Sequence, residues 1–323
     1  MSAEAGMPMP DHWLPGLDVR LAVPEIGPWR AGNTGIPGAW RFAAAEPGPH
    51  LLVTAVVHGN EIAGAAVLER WLREGVRPRR GTLTLCFANL AAFDRFDRAD
   101  PTGSRFVDED LNRIWGEEQL GSARRSSELE RARALLPLVR QADVLLDLHS
   151  MLWPSDPLFI AGPGAGARDL GRALGTPPLV ICDEGHAAGM RLIDHAQFRA
   201  GARALLVEAG PHWEPETLAQ MEDTAARLLR RLGMATEDAP LPPEERLPPG
   251  RVARVTRTVT AQSTDFAFMR GFRGGEVIAR RNTLIALDGE AELRTPHDDC
   301  LLVMPSPRAM RGHTAVRLAK FEE

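Results

Sequence analysis

The sequence predicts an α/β protein: a mixed, mostly parallel sheet flanked by helices, followed by a smaller C-terminal all-β domain. Three observations carry that expectation. From His50 onward, short and almost wholly apolar runs alternate with segments of helical periodicity, the pattern of strands buried on both faces. Residues 236–250 (TEDAPLPPEERLPPG) hold five prolines and read as a linker. Beyond them the chain turns to β-branched runs separated by Gly turns. At 323 residues there is room for one full-size core and a companion. The expected division is 1–235, a linker at 236–250, and 251–323.

The elements follow in order. Residues 1–45 are punctuated by Pro and Gly, with short β-like runs at 18–23 and 39–42. LLVTAVV (51–57) reads as a buried strand and 61–74 as the helix after it; TLTLCFA (82–88) is the next strand. Ser127 with Glu130 forms a capping-box pattern that opens a helix toward Arg140, with Pro137 as a kink or end. Further strands are expected at 144–148, 158–161, 179–181 and 204–207, and a helix at 214–232. In the C-terminal part, strands are expected at 253–260, 276–278, 283–287 and 300–304.

Composition excludes several function classes. A net charge of -5 offers no basic footprint for nucleic acid. No run approaches the length of a membrane span, and the start MSAEAGMPMPDHW lacks the basic and apolar regions of a signal peptide. Cys86, Cys182 and Cys300 are too widely spaced for a thiolate metal site and fit a reducing cytoplasm. The chain has no Tyr, and Lys320 is its only Lys. Tyrosine acid catalysis is therefore unavailable, and a Schiff base would rest on Lys320, the fourth residue from the end of the sequence. Homo-oligomerisation is left open.

The candidate chemistry lies at strand ends, where open α/β sheets gather ligands. His58 and Glu61 flank the first strand-to-helix turn, and His plus carboxylate is a zinc-type ligand pair. Alone, that pair is weak, since a surface or core His is the commoner case. His149 ends another strand and supplies the third protein ligand expected of a catalytic zinc. Asp147, two residues earlier and on the same strand face, either orients a histidine or is an ordinary structural Asp. Glu208 follows four apolar residues, where a carboxylate is costly unless paired or functional. As a catalytic group it would be a general base toward water and then a proton donor to the leaving amine. The loop 104–113 contains Arg105, Asn112 and Arg113, suited to an anionic substrate; solvated loop charge explains them equally well. His186 and His195 have no paired spacing for a second metal, and His297 with Asp298 and Asp299 reads as a solvated loop. The glycines of 162–167 match a dinucleotide fingerprint only formally.

Taken in order, His58-Gly59-Asn60-Glu61, Arg105-Phe106-Val107-Asp108, Asp110-Leu111-Asn112-Arg113, Ser127-Glu128-Leu129-Glu130, Asp147-Leu148-His149-Ser150 and Glu208-Ala209-Gly210 resemble the succinylglutamate desuccinylase/aspartoacylase family, relatives of the zinc carboxypeptidases. The resemblance runs from about residue 51 to 213. It implies a zinc-carboxypeptidase-like fold and one Zn2+ per chain held by His58, Glu61 and His149. Glu208 would be the general base, and Arg105 would polarise the amide carbonyl. Asn112 and Arg113 would hold a substrate carboxylate, and the reaction would be hydrolysis of a small N-acyl amino acid. Phe106 departs from the family, whose members often carry Tyr there, and without any Tyr a substrate contact of the best-known branches is either lost or supplied differently. Arg199 and Arg203, upstream of Glu208, are either carboxylate partners or, more commonly, surface helix charges, and His212 is a candidate to line the site. The competing readings are a zinc carboxypeptidase acting on peptides or cell-wall stems and a non-catalytic metal- or ligand-binding relative.

Overall fold

The computed structural model describes residues 17–322 apart from 187; the first sixteen residues of the Pro/Gly-rich segment lie outside the described residues. The described residues divide into two compact units, one formed by Val19–Ser150 and Pro157–Gly250, the other by 251–322 together with 17–18 and Met151–Asp156.

The larger unit contains β1 (Ala39–Ala43), β2 (Glu46–Ala55), α1 (Ile62–Arg73), β3 (Arg80–Phe87), α2 (Leu90–Phe93), α3 (Glu117–Gly121), α4 (Ser127–Gln141), β4 (Val144–Met151), β5 (Leu158–Ala161), α5 (Ala165–Leu174), β6 (Leu179–Cys182), α6 (Ala196–Arg199), β7 (Arg203–Pro211) and α7 (Pro215–Arg231). Its strands lie in the order β1-β3-β2-β4-β7-β5-β6. β2 runs parallel to both β3 and β4, and β5 parallel to β6. β1 runs antiparallel to β3, and β5 runs antiparallel to β7. The core strands are largely apolar because both sheet faces are covered: every residue of β4 and β5 is buried, the polar Asp147, His149 and Ser150 of β4 included. α1 packs on α7, and α7 on α5. Gly64 lets α1 approach closely, since a Cβ there would lie 3.0 Å from that of Ala55 and 3.2 Å from that of Leu148. That contact brings the start of α1 against the carboxyl ends of β2 and β4.

Several local expectations shift. Residues 18–23 form no strand. α4 is capped by Ser126, whose hydroxyl oxygen accepts the Leu129 N–H, and Ser127 is already helical. Pro137 neither ends nor bounds the helix, which continues to Gln141. β7 extends past Val207 to Pro211, so Glu208 sits within the strand rather than just beyond it.

The second unit holds β8 (Arg251–Thr260), β9 (Phe266–Phe268), β10 (Val277–Ile278), β11 (Leu284–Asp288), β12 (Ala291–Arg294), β13 (Cys300–Val303) and β14 (Thr314–Phe321). β8-β14-β13-β10 are antiparallel neighbours, and β12-β11-β9 form a separate three-stranded sheet. Phe266, Phe268, Ile285, Leu302, Val316 and Leu318 belong to one buried cluster, so the small unit has a core of its own. No helix among the described residues is long and apolar enough to cross a membrane.

Candidate active site

His58, Glu61 and His149 converge: each offers one ligand atom, and these atoms all lie within 4.8 Å of one another in a buried cluster. Local geometry explains how the first two meet. β2 ends at Ala55, and the next residue, Val56, has φ 49°, a conformation a β-branched residue adopts only under constraint. The elbow turns the chain so that Glu61 becomes the N-cap of α1. A side chain there ordinarily accepts the helix's own N–H groups, but Glu61 makes no such bond. One carboxylate oxygen lies 2.7 Å from His58 Nδ1, and the other lies 3.0 Å from His149 Nδ1 and accepts the Ser150 N–H at 3.1 Å.

The far nitrogen of each imidazole is held by a second carboxylate. His149 Nε2 meets Asp147 Oδ2 at 2.8 Å. Asp147 is itself opposite Thr54 in the β2–β4 register and accepts that hydroxyl proton. His58 Nε2 meets Asp110 Oδ1 at 2.9 Å. Both Nδ1 atoms therefore face the shared centre, the orientation that carboxylate–histidine pairs impose on metal ligands. The set of two imidazoles and one carboxylate, with three carboxylates in or behind it, suits a borderline divalent cation such as zinc.

The charges are strongly coupled. Burial opposes ionisation of Glu61, yet His149 and His58 hold it well below the usual carboxylate range. Burial likewise acts to lower His149, but Asp147 and Glu61 raise it well above its ordinary value. Asp110 is depressed against its burial by His58, Arg105 and Arg113.

Arg105 reaches the same centre from the loop. Its Nη2 lies 2.9 Å from His58 Nε2 and donates to Asp110 Oδ2 at 3.1 Å, and Nη1 is 3.8 Å from Glu61. Gly59 permits this approach: a Cβ there would stand 2.5 Å from the Ser104 carbonyl oxygen, and the Gly59 N–H donates to Arg105 O at 3.1 Å. Asn112 is buried and its Oδ1 accepts the Leu192 N–H at 2.8 Å, which turns its NH2 group the other way. Arg113 donates to Asn112 O at 2.7 Å and stands 3.8 Å from Asp110.

Glu208 is buried, and its Oε2 has no hydrogen-bond partner. Burial pushes its carboxyl up to about 8, Glu61 and Asp147 adding to the rise while His149 and Arg105 oppose it. An orphaned buried carboxylate calls for a partner outside the protein, and a divalent cation nearby would favour its ionised form.

The matching family description, the succinylglutamate desuccinylase/aspartoacylase catalytic domain, covers residues 47–232. The chain belongs to the succinylglutamate desuccinylase/aspartoacylase family. Among members of the family, the succinylglutamate desuccinylase of Burkholderia pseudomallei (strain K96243) is 28% identical over 303 residues, 88% of this chain and 83% of that one. The crystal structure of succinylglutamate desuccinylase from Vibrio cholerae superposes with a TM-score of 0.66 at 17% identity, covering 88% of this chain and 86% of that one. An ectoine utilization protein from Ruegeria pomeroyi, solved with product bound, gives 0.60 at 17% identity over 87% of each chain. At these identities the structural likeness establishes the fold. Family membership places the chain among amide hydrolases that deacylate N-acyl amino acids.

Asp110 and Trp213 escape a reading of spacing alone, whereas His212 is a candidate that the structure places. Asp110 appears within a motif but with no sign that it faces His58. His212 is buried beside the site, its Nδ1 2.6 Å from the Ser150 hydroxyl, and burial lowers its pKa to about 4. Trp213, at φ 63°, donates its indole N–H to the Asn60 carbonyl at 2.8 Å and so ties the end of β7 to the His58–Glu61 turn. Arg199 donates to the Asp194 carbonyl, and Arg203 lies at the opposite end of β7 from Pro211.

Proposed function

We propose that this chain hydrolyses the amide bond of a small N-acyl amino acid, using one zinc ion held by His58, Glu61 and His149. The observation that carries this reading is the meeting of a buried three-ligand centre with a buried carboxylate, Glu208, that has an unpaired oxygen. A purely structural ion would need no such base. Bound zinc supplies Lewis-acid chemistry, polarising a carbonyl and making hydroxide available near neutral pH.

The chain's own groups do the rest. Glu208 takes a proton from the attacking water and passes it to the amide nitrogen as the C–N bond breaks, yielding a carboxylic acid and a free amino acid. Arg105 donates N–H groups to the carbonyl oxygen as negative charge develops there. The Asn112 NH2 group and the Arg113 guanidinium receive a substrate carboxylate, Arg113 by its two-pronged donor geometry. Ser150 holds His212 beside the site, and Trp213 holds the Asn60 carbonyl next to Glu61.

The test combines zinc content by elemental analysis with a panel of N-acetyl, N-succinyl and related N-acyl amino acids. About one zinc per chain, lost in His149→Ala, with turnover of one or more panel members, is the expected result. Zinc-free protein after exposure to the metal would remove the basis of the reading, and turnover of short peptides alone would favour a carboxypeptidase.

A further inference from the structure

Glu128 is the second residue of α4 and is fully buried. Its carboxylate accepts four N–H donors: Val107 N at 2.7 Å and Asn89 Nδ2 at 3.0 Å on one oxygen, Asp108 N at 3.0 Å and Glu109 N at 3.2 Å on the other. Three consecutive backbone N–H groups on one anion form a nest, and such charge-assisted bonds are what make a buried carboxylate tolerable. The contact is reciprocal. Asp108 Oδ2 accepts the N–H and hydroxyl of Ser127 at 2.7 and 2.6 Å, so a loop carboxylate caps the helix while a helix carboxylate caps the loop.

What this nest holds in place is the reactive end of the loop. Arg105 lies two residues before it and Asp110 one residue after, and both side chains reach His58 Nε2 at 2.9 Å. Asn89 extends the tie to the other side, since its N–H donates to the carbonyl of strained Val56, two residues before His58. Glu128 therefore sits behind both arms of the centre without touching it.

We propose that Glu128 is a positioning residue for the reaction, acting on the amide carbonyl through Arg105 and on His58 through Asp110. The inference rests on the zinc-deacylase reading above. Glu128→Gln keeps the shape but turns an NH2 group toward backbone donors, which opens the nest.

The test is a double-mutant cycle of Glu128→Gln with Arg105→Ala on the zinc-loaded full chain. The probe is whichever N-acetyl or N-succinyl amino acid the wild type cleaves best, and zinc affinity is read separately by competition with a chromogenic chelator. Glu128→Gln should lower kcat by about 10- to 100-fold and weaken zinc binding about tenfold, the range seen when support of a metal site is lost. In the Arg105→Ala background the same change should cost less than about threefold in kcat, because groups acting as a unit are not additive. Additive losses with unchanged zinc affinity would overturn the proposal and leave a stabilising role only. If Glu128→Gln does not fold, Glu128→Asp keeps the charge but withdraws it by one methylene, and enters the same cycle with the same expectations. A wild type that neither retains zinc nor cleaves the panel sinks the deacylase reading and this inference with it. A wild type that does both, matched by Glu128→Gln, sinks only the inference.

Discussion

The two halves of the site are built on different principles. The His58, Glu61 and His149 half stands on strand ends and a helix N-cap, with each imidazole side chain 5% exposed or less. The Arg105–Arg113 half is a loop whose only regular structure is a single 3-10 turn at Leu111–Arg113, and the Arg105 side chain is 38% exposed. The first half is rigid because main-chain register and a buried carboxylate behind each histidine leave little freedom. The second is held by side chains reaching main-chain groups, Glu128 above all. Charges in the first half are little screened, whereas Arg105 works partly in water and depends on close approach. Under the proposed function, the first half would hold the ion and the second would read the substrate.

Breaking the framework should have the largest effect. Glu61→Gln removes the one group shared by both histidines; zinc should fall well below one per chain by elemental analysis, and activity by about three orders of magnitude or more, given the several kcal/mol a catalytic metal supplies. Next comes Glu208→Gln, which should retain zinc while kcat drops about 10²–10⁴-fold, the usual scale for a general base; near-wild-type turnover would refute the assignment. On the loop side, Arg105→Ala should lower kcat about 10²–10³-fold with zinc content unchanged, a split between metal and rate that the framework variants cannot show. Arg113→Ala should act chiefly on KM, raising it roughly tenfold or more, as loss of a charged hydrogen bond to substrate implies.

The smallest effect concerns stability without metal. Burial raises the Glu208 carboxyl from its ordinary value of 4.5 to about 8. Between those values the folded state binds more protons than the unfolded one, so stability falls as pH rises through that window. Metal-free Glu208→Gln should therefore melt above metal-free wild type at pH 9 and show little advantage at pH 4. Zinc, by favouring the ionised carboxylate, should narrow the gap. A pH-independent difference in melting temperature would mean that Glu208 does not titrate as its burial implies.

Legibility differed from residue to residue. The strands 158–161 and 144–148 were readable because continuous apolar runs are a local signal, and the structure places them at Leu158–Ala161 and Val144–Met151. The run at 18–23 was not, since alternation over a few residues does not guarantee a pairing partner. The cap is Ser126 and not Ser127, a choice local chemistry leaves open because both serines satisfy it; the Glu109 and Asp108 side chains across the gap bond them differently. The His58–Glu61 pair was readable as a ligand candidate because three residues across one strand-to-helix turn must end close together.

By itself the sequence determined the alternation of buried strands and helices, the donor types available to a metal, and the absence of tyrosine chemistry. These depend on side-chain identity and on periods of a few residues. Only the tertiary structure decided which groups stand behind the first row. Asp110 meets His58 across 52 residues, Glu128 meets the nest across about 20, and His212 meets Ser150 across 62. No local periodicity encodes such separations. They exist because parallel strand register, a glycine at 59 and a buried carboxylate at 128 bring distant backbone together at one end of the sheet.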